Sequence, residues 1–539
     1  MDDNLDRSNS PKTCPMHSKG SQEGVSRRGF LGALGAGAAI VPGVCTMGVA
    51  RAQTAPPPVI REDRFGRMFP NLPPFATPSA RLTDALTEIG RPGGILDARD
   101  PLDRGPILLI TDPALSANNP DNPNQTAGVT FLGQFIDHDV TFDLGSALGV
   151  PTRPEDSRNS RAPALDLDSV YGGGPTASPQ LYGRRSSTNP LAGIKFVVQN
   201  GGLFEDLPRT SDGTAILGDP RNDEHIILAG LHAAFLLFHN NVVDRVAALN
   251  RQLSPDNVFR EAQQLTRWHY QWIIVNEYLP QIIGRSLVND ILSGGRKFYT
   301  PPVGFMPVEF QGAAFRMGHS QVRPSYRANL AGDNGQPFFG FIFDPSQENA
   351  ADPNDFRGGV RAPRRFIGWG TFFNFGDGNV RQNKRIDSKL STPLFQLPRS
   401  AIAGEGGPIS LAQRNLLRHI TWSLPSGQAI SRVLGVPFVQ AGDLMDLAPF
   451  GLGLENSTPL WFYILREAQV MAQGLTLGPV GGRIVGEVLI GLMQLNRNSY
   501  LNAQPNWRPT LPDRVGGTGD FKMVDLLTFA GVSPAQRGQ

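Results

Sequence analysis

The segment FLGQFIDHDVTFD, residues 131–143, places an imidazole, an amide and several carboxylates within about three and a half turns of a predicted helix. Gln134 and His138 lie four residues apart and therefore share one face of that helix. Asp137 and Asp139 flank the histidine and point about 160° apart, at roughly 100° per residue. This spacing predicts two sites: His138, Gln134 and one aspartate face a cavity, and the other aspartate faces a cation.

Two other short motifs hold residues that could act together with this histidine. In GDPRNDE, Arg221 and Glu224 are three residues apart and can share a face at the entrance of a helix. In AFRMGH, Arg316 precedes His319 by three residues on another predicted helix. A helical histidine is more often a hydrogen-bonded core residue than a catalyst, so the assignment of His138 to chemistry depends on these partners.

A candidate cation site lies in SRAPALDLDSVYGGGP, where Asp166 and Asp168 alternate with other residues in a loop that ends in glycines. Hard cations such as calcium collect carboxylate and carbonyl oxygens from loops of this kind. The alternative is a cluster of aspartate turns on the surface, which is the commoner explanation of an isolated D-x-D. Asp139 supplies the third carboxylate that favours a cation site.

Long helices must position these motifs. An apolar helix is predicted over residues 225–249, and it carries His225, His232 and His239 at intervals of seven. Seven helical residues rise about 10 Å, so no single metal ion could bind two of these side chains, and we interpret them as packing residues. A second long amphipathic helix follows and is predicted to end at Pro280.

The composition describes an ordinary globular protein of 539 residues with 40% hydrophobic and 18% charged residues. A net charge of +2 gives no argument for a nucleic-acid partner. Glycine (61) and proline (46) are abundant and scattered, which predicts long ordered connections between helices. We therefore expect a mainly α fold with little β structure, forming one domain over residues 53–539, with an irregular arm over residues 59–112.

The first 52 residues resemble a twin-arginine export signal. Arg27 and Arg28 precede an uncharged run, residues 29–50, and an A-x-A pattern ends at Ala52. The alternative is an uncleaved membrane anchor, which the weak hydrophobicity of the run and Pro42 within it disfavour. We expect export to the periplasm or the medium, with no membrane insertion after cleavage.

Both cysteines, Cys14 and Cys45, precede the predicted cleavage point. The mature protein would then contain no disulfide, no thiolate metal site and no cysteine nucleophile.

A haem peroxidase needs one histidine for the iron and, on the opposite face, a neutral histidine beside a cation. GQFIDHD, GDPRNDE and AFRMGH, in this order, resemble the signatures of the animal-type haem peroxidases, the peroxidase/cyclooxygenase superfamily that includes myeloperoxidase and lactoperoxidase. The resemblance extends over most of residues 65–495, including LDLDSVYG, NEYLP and LPSGQ. Together with the export signal, it indicates an exported bacterial member with the family's mainly helical fold.

The resemblance implies a role for each motif. His138 would be the distal base, with Gln134 in the same pocket, and Arg221 would be the distal arginine. His319 would bind the haem iron, and Arg316 would lie close to the haem.

Two further sets of residues follow from the same resemblance. Asp137 and Glu224 match the carboxylates that form ester bonds to haem in mammalian members. The implied calcium ligands are the side chains or carbonyls of Asp139, Ala162, Ala164, Asp166 and Asp168.

The sequence departs from the family pattern at four positions. His225 stands where myeloperoxidase has a methionine linked to haem, so a sulfonium bond is impossible and chloride oxidation is in doubt. Ala162 replaces a threonine and Asp168 a serine at the calcium site. Gln428, in LPSGQ, replaces the asparagine that bonds the proximal histidine, and is expected to accept its N–H.

The implied activity is reduction of hydrogen peroxide to water, with oxidation of halide, thiocyanate or small aromatic donors through a ferryl intermediate. Two alternatives remain open at this stage. One is a haem-dependent fatty-acid dioxygenase, although Arg316 occupies the position of the tyrosine that those enzymes use. The other is a non-catalytic, secreted calcium-binding structural or adhesive protein.

Overall fold

The computed structural model describes residues 62–200, 204–332, 334–359, 363–402 and 406–539. These residues form a mainly α structure, with 48% helix and 8% strand, which confirms the expected fold class. The predicted export signal, residues 1–52, and the boundary after it lie outside the described residues.

The helices in chain order are α1 Ala80–Ile89, α2 Gly105–Thr111, α3 Ala127–Val140, α4 Asp168–Tyr171, α5 Gly174–Ala177, α6 Ile226–Leu249, α7 Pro255–Ile273, α8 Leu279–Ile283, α9 Arg285–Gly294, α10 Val308–Gly312, α11 Gly318–Gln321, α12 Leu411–Thr421, α13 Gly427–Leu434, α14 Leu460–Ala472, α15 Pro479–Leu495, α16 Tyr500–Ala503, α17 Met523–Phe529 and α18 Pro534–Arg537.

The strands are short and pair two by two. They are β1 Phe65–Gly66, β2 Asp121–Thr126, β3 Gln199–Asn200, β4 Glu205–Asp206, β5 Met306–Pro307, β6 Ser325–Arg327, β7 Phe339–Phe341 and β8 Gln382–Lys384. β1 runs parallel to β5, whereas β2 pairs with β8, β3 with β4, and β6 with β7 in antiparallel fashion. These pairs fasten loops to the helical core.

Helix α6 lies at the centre of the core. His225 caps it, since its ring nitrogen Nδ1 accepts the N–H of Leu228 at 3.2 Å. The helix is long and apolar enough to cross a membrane, but 83% of its most apolar window is buried inside the protein, as expected for a core helix. Phe235 on α6 stacks on Phe135 of α3 at 4.6 Å and meets Tyr270 of α7 edge-on at 5.7 Å, which ties the three helices together.

Two local expectations need correction. The helix after α6 does not end at Pro280: α7 passes through a π-helical turn, Ile274–Tyr278, into α8. Pro280 lies just after the π-helical turn, and because it has no N–H it cannot continue the hydrogen-bond ladder at that point. The arm over residues 59–112 is also not irregular throughout, because it contains α1 and α2.

Candidate active site

One face of α3 lines a cavity of about 260 Å³. Gln134, Asp137 and His138 contribute to its wall, as their spacing of three and four residues along the helix predicts. The opposite flank of α3 carries Phe135, which is fully buried against α6 and α7. The aromatic packing therefore fixes which side of the helix faces the cavity.

The segment from 314 to 321, a short 3-10 turn followed by α11, forms another part of the same wall. It contributes Arg316 and His319, so the structure brings His138 and His319 to one cavity from distant parts of the chain. Apolar and aromatic side chains, including Phe131, Phe315 and Phe343, complete the lining. A cavity that combines aromatic walls with two imidazoles can accept a flat metal-containing cofactor.

His138 is neutral and oriented. Its Nδ1 lies 2.9 Å from Oδ1 of Asn222, and only 5% of the residue is exposed. Burial, followed by the positive charge of Arg221, lowers the pKa of His138 to about 3. The imidazole is therefore available as a base at neutral pH.

Arg221 is held rigidly beside this base. Its Nε and Nη2 donate to the two carboxylate oxygens of Asp219 at 3.0 and 2.7 Å, and Nη2 also donates to the carbonyls of His138 and Thr141. The guanidinium stacks over the ring of Phe142 at 4.1 Å. Within the part of the chain that the structure describes, Nη1 of Arg221 donates no hydrogen bond. Because Arg221 lines the cavity, its Nη1 can donate to a group bound there.

Gln134 joins two other residues of the cavity wall. Its Nε2 donates to Oε2 of Glu224 at 3.2 Å, and its Oε1 lies 2.9 Å from Nε2 of His225. Burial raises the pKa of Glu224 to about 8 and that of Asp137 to about 6. His225, which the sequence suggested was a packing residue, therefore belongs to the cavity as well.

The partner of His319 is Asn415, on α12, whose Nδ2 lies 2.7 Å from Nδ1 of the imidazole. The Oδ1 of the same amide accepts from Nη1 of Arg316 at 2.7 Å. The expectation that Gln428 bonds His319 is wrong. Gln428 lies at the start of α13, where its amide is fully used by the backbone and hydroxyl of Thr458 and the carbonyl of Glu455.

The three aspartates of the candidate cation site also meet. Oxygens of Asp139, Asp166 and Asp168 lie within 4.8 Å of one another. In this loop, Leu165 and Leu167 have left-handed backbone conformations, with φ of 50° and 61°. Such angles are unusual for leucine and imply backbone strain. Burial, and then the neighbouring carboxylates, raises the pKa of Asp139 well above its usual range. A bound cation would relieve this repulsion.

Unsatisfied oxygens support the fit of a cation. Oδ1 of Asp166 and Oδ1 of Asp168 are buried and have no hydrogen-bond partner among the described residues. The carbonyl of Ala162 accepts the N–H of Ala164, and that of Ala164 accepts from Asn496, so their role as ligands stays a prediction.

Several residues in or beside the cavity were not predicted from the sequence. Asn222 and Asn415 orient the two histidines, and Tyr278, Arg414 and Arg418 line the wall. Tyr278 comes from the π-helical turn, and the two arginines share a face of α12 because they are four residues apart. The spacing within QRNLLRH was a usable signal for the arginines, whereas the sequence holds no signal for which amides contact the histidines.

The animal haem peroxidase family matches residues 143–338, which include Arg221, Glu224 and His319 and begin five residues after His138. Mouse thyroid peroxidase is 28% identical over 223 residues, covering 38% of this chain and 24% of that protein. The chain spans about a quarter of the length of the curated relatives that it matches first.

Solved structures resemble the fold over a longer range. Peroxidase A from Dictyostelium discoideum aligns with a TM-score of 0.57 at 18% identity, covering 90% of this chain and 94% of that one. The fatty acid alpha-dioxygenase of Arabidopsis thaliana aligns with a TM-score of 0.53 at 14% identity, covering 81% and 73%. Residues 143–338 thus match the animal haem peroxidase family, and the chain resembles peroxidase A in its fold.

Proposed function

We propose that the protein is a haem peroxidase, which reduces hydrogen peroxide to water and oxidises a halide, thiocyanate or a small aromatic donor. The observation that carries this proposal is the meeting of His138, Arg221 and His319 at one cavity. Each imidazole has its Nδ1 beside an asparagine, and Nε2 of both rings has no hydrogen-bond partner among the described residues.

The residues present fit a haem. Nε2 of His319 would bind the iron, and the guanidinium groups of Arg316, Arg414 and Arg418 line the cavity where they could pair with the carboxylates of a porphyrin. Asp137 and Glu224 are the two carboxyl groups that we propose form ester bonds to it. Bound haem would supply the iron at which peroxide is reduced and the oxidising equivalents that the donor consumes.

The chain's own residues would move the protons. Neutral His138 accepts a proton from the peroxide and returns it to the outer oxygen, so that water can leave. Arg221 stabilises the negative charge that develops as the O–O bond breaks, and its fixed position means that no reorganisation is needed at that moment. Gln134 offers its amide to a water or an anion in the same cavity.

We also propose that calcium binds Asp139, Asp166 and Asp168, with the carbonyls of Ala162 and Ala164. Three carboxylates and backbone oxygens are the ligand set that calcium prefers. Because Asp139 follows His138 directly, the cation would fix the last turn of the helix that carries the base.

The proposal is tested by loading the purified protein with haem and measuring a Soret band and peroxide-dependent oxidation of a dye. Turnover with bromide, iodide, thiocyanate, chloride and a phenol, measured in parallel, identifies the donor class. A haem-loaded protein that oxidises none of them would contradict the proposal and favour a structural role.

One observation favours the fatty-acid dioxygenase as a second candidate. Tyr278 is a buried tyrosine in the cavity wall, and the fold resembles the plant alpha-dioxygenase. Arg316, at the position where that class carries its tyrosine, argues against it. Oxygen uptake on an unsaturated fatty acid in the absence of added peroxide separates the two activities.

A further inference from the structure

A continuous chain of polar groups runs from the cavity into the core behind His138. Oδ1 of Asn222 lies 2.9 Å from Nδ1 of His138, and Nδ2 of Asn222 lies 2.9 Å from Nδ1 of His232 on α6. Asn222 is fully buried and His232 is 1% exposed. Buried polar groups of this kind are costly unless they are paired, so this one amide has to satisfy both rings at once.

The amide decides which nitrogen of His138 carries the proton. A carbonyl oxygen only accepts, so Nδ1 of His138 must be the protonated nitrogen and Nε2 must carry the lone pair. If the amide were rotated by 180°, its NH₂ group would face His138, and the proton would move to Nε2. The ring would then have no lone pair at the nitrogen that a base must use.

His232 is the second partner of this amide. Burial lowers the pKa of His232 to about 4, so the ring is neutral. In this structure the NH₂ group of Asn222 faces Nδ1 of His232, which therefore acts as acceptor, and the amide oxygen faces His138. Contact with Phe135, whose ring lies edge-on at 6.2 Å, holds the imidazole in place.

We propose that Asn222 and His232 are positioning residues for the distal base, and that they keep His138 in the tautomer whose Nε2 can accept a proton from the incoming ligand. This inference rests on the proposed haem peroxidase function. It gives His232 a role beyond the packing that its seven-residue spacing suggested.

Other groups near His138 do not compete for Nδ1. Arg221 and Asp219 compensate each other through a 2.7 Å ion pair, and Arg221 contacts the backbone carbonyl of His138 rather than its ring. His225, the remaining titratable neighbour, directs its Nε2 to Gln134. Among the described residues, Asn222 is therefore the group that sets the tautomer.

The experiment compares two ligands of the haem-loaded protein. Hydrogen cyanide must lose its proton when it binds ferric haem, whereas carbon monoxide binds ferrous haem without any proton transfer. In Asn222→Leu, which is close in size but cannot hydrogen bond, the association rate of hydrogen cyanide is expected to fall at least about tenfold, which is part of the roughly 10²–10⁴-fold that a positioned base contributes. Carbon monoxide binding is expected to stay unchanged.

Two more variants keep the test decisive if Asn222→Leu does not fold. Asn222→Asp retains an acceptor for Nδ1 and should restore the cyanide rate toward that of the unmodified protein, whereas His232→Phe removes the second contact and should slow it. Asn329→Leu is the matched control, because this buried amide bonds only backbone groups of the 329–366 region.

Cyanide rates that are the same in the unmodified protein, Asn222→Leu and His232→Phe would overturn the inference, as would a parallel loss of carbon monoxide binding. His138→Ala separates this failure from failure of the proposed function. If His138→Ala loses peroxide turnover while the Asn222 variants behave normally, only the positioning role is refuted. If His138→Ala retains turnover, the proposed function itself fails.

Discussion

Replacing Asp219 by asparagine tests whether this buried carboxylate stabilises the folded protein and fixes Arg221 in the cavity wall. Asp219 is completely buried and binds two arginines: it accepts from Nε and Nη2 of Arg221 at 3.0 and 2.7 Å, and its Oδ2 lies 2.9 Å from Nε of Arg161. The asparagine would keep the shape of the side chain but leave Arg221 without its paired carboxylate, and Arg161 with only the more distant Asp168, at 3.6 Å.

The expected loss of folding free energy follows from the pKa of Asp219. Burial alone would raise the pKa of Asp219, but Arg221 outweighs it and holds that pKa at about 2, against an ordinary 3.8. This difference corresponds to roughly 2–3 kcal/mol of folding free energy. Uncompensated buried charges usually cost about 3–5 kcal/mol, so we expect Asp219→Asn to destabilise the protein by about 2–5 kcal/mol at pH 7.

The pKa of Asp219 also predicts how the stability difference between the two proteins changes with pH. Because the pKa of Asp219 is lower in the folded state, its contribution is complete above the unfolded value near 3.8 and disappears as pH falls through about 2. The difference between the unmodified protein and Asp219→Asn should therefore be constant near neutrality and shrink below pH 4.

Urea unfolding of the haem-free protein, followed by tryptophan fluorescence, measures this loss. The control is Asp290→Asn, which removes an ion pair to Arg483 of similar length, 2.8 Å, from a side chain that is 42% exposed. A pair of that kind contributes about 0–1 kcal/mol. If Asp219→Asn costs no more than Asp290→Asn, the conclusion that Asp219 stabilises the cavity wall is refuted.

Four other outcomes can be checked separately. His138→Ala should lower the rate of the reaction with peroxide by roughly 10²–10⁴-fold, measured by stopped flow, while the Soret band stays intact. Added calcium should raise the melting temperature of the unmodified protein and not that of Asp139→Asn, and equal shifts in both would argue against the site. After exposure to peroxide, acid-acetone should leave haem attached to the unmodified protein and extract it from an Asp137→Ala, Glu224→Ala double variant; complete extraction from both would exclude ester bonds. Mass spectrometry of exported protein should find a chain that begins near Gln53, and an intact first segment would contradict the export signal.

The spacing of apolar and polar residues along the sequence predicted the helices and the side of each helix that faces the cavity or the core. The four-residue spacing of Gln134 and His138 placed both in the cavity, and the opposite phases of Asp137 and Asp139 put Asp137 in the cavity wall and Asp139 beside Asp166 and Asp168. These inferences succeeded because side-chain direction along one helix follows from sequence distance alone. The apolar pattern of α6 succeeded for the same reason.

The hydrogen-bond partners of the histidines could not be predicted in this way. Asn415 contacts His319 from 96 positions along the chain, and Asn222 contacts His138 from 84. Such pairs depend on how α12 and the loop before α6 are packed in three dimensions, which local spacing does not encode. Gln428 shows this limit, because its place in LPSGQ predicts a contact with His319 whereas Thr458 and Glu455 satisfy its amide.

The last turn of α3 carries both the proposed base, His138, and one carboxylate of the candidate cation site, Asp139. Asp139 lies at the carboxyl end of the helix, where the helix dipole already disfavours negative charge, and two further carboxylates approach it there. Hydrogen bonds from the backbone of Leu167 and the hydroxyl of Ser169 compensate only part of this repulsion. A divalent cation would compensate the rest and fix the rotation of the turn. Since His138 is the neighbouring residue, the direction of its ring toward the cavity depends on charge balance at the other face of the same helix.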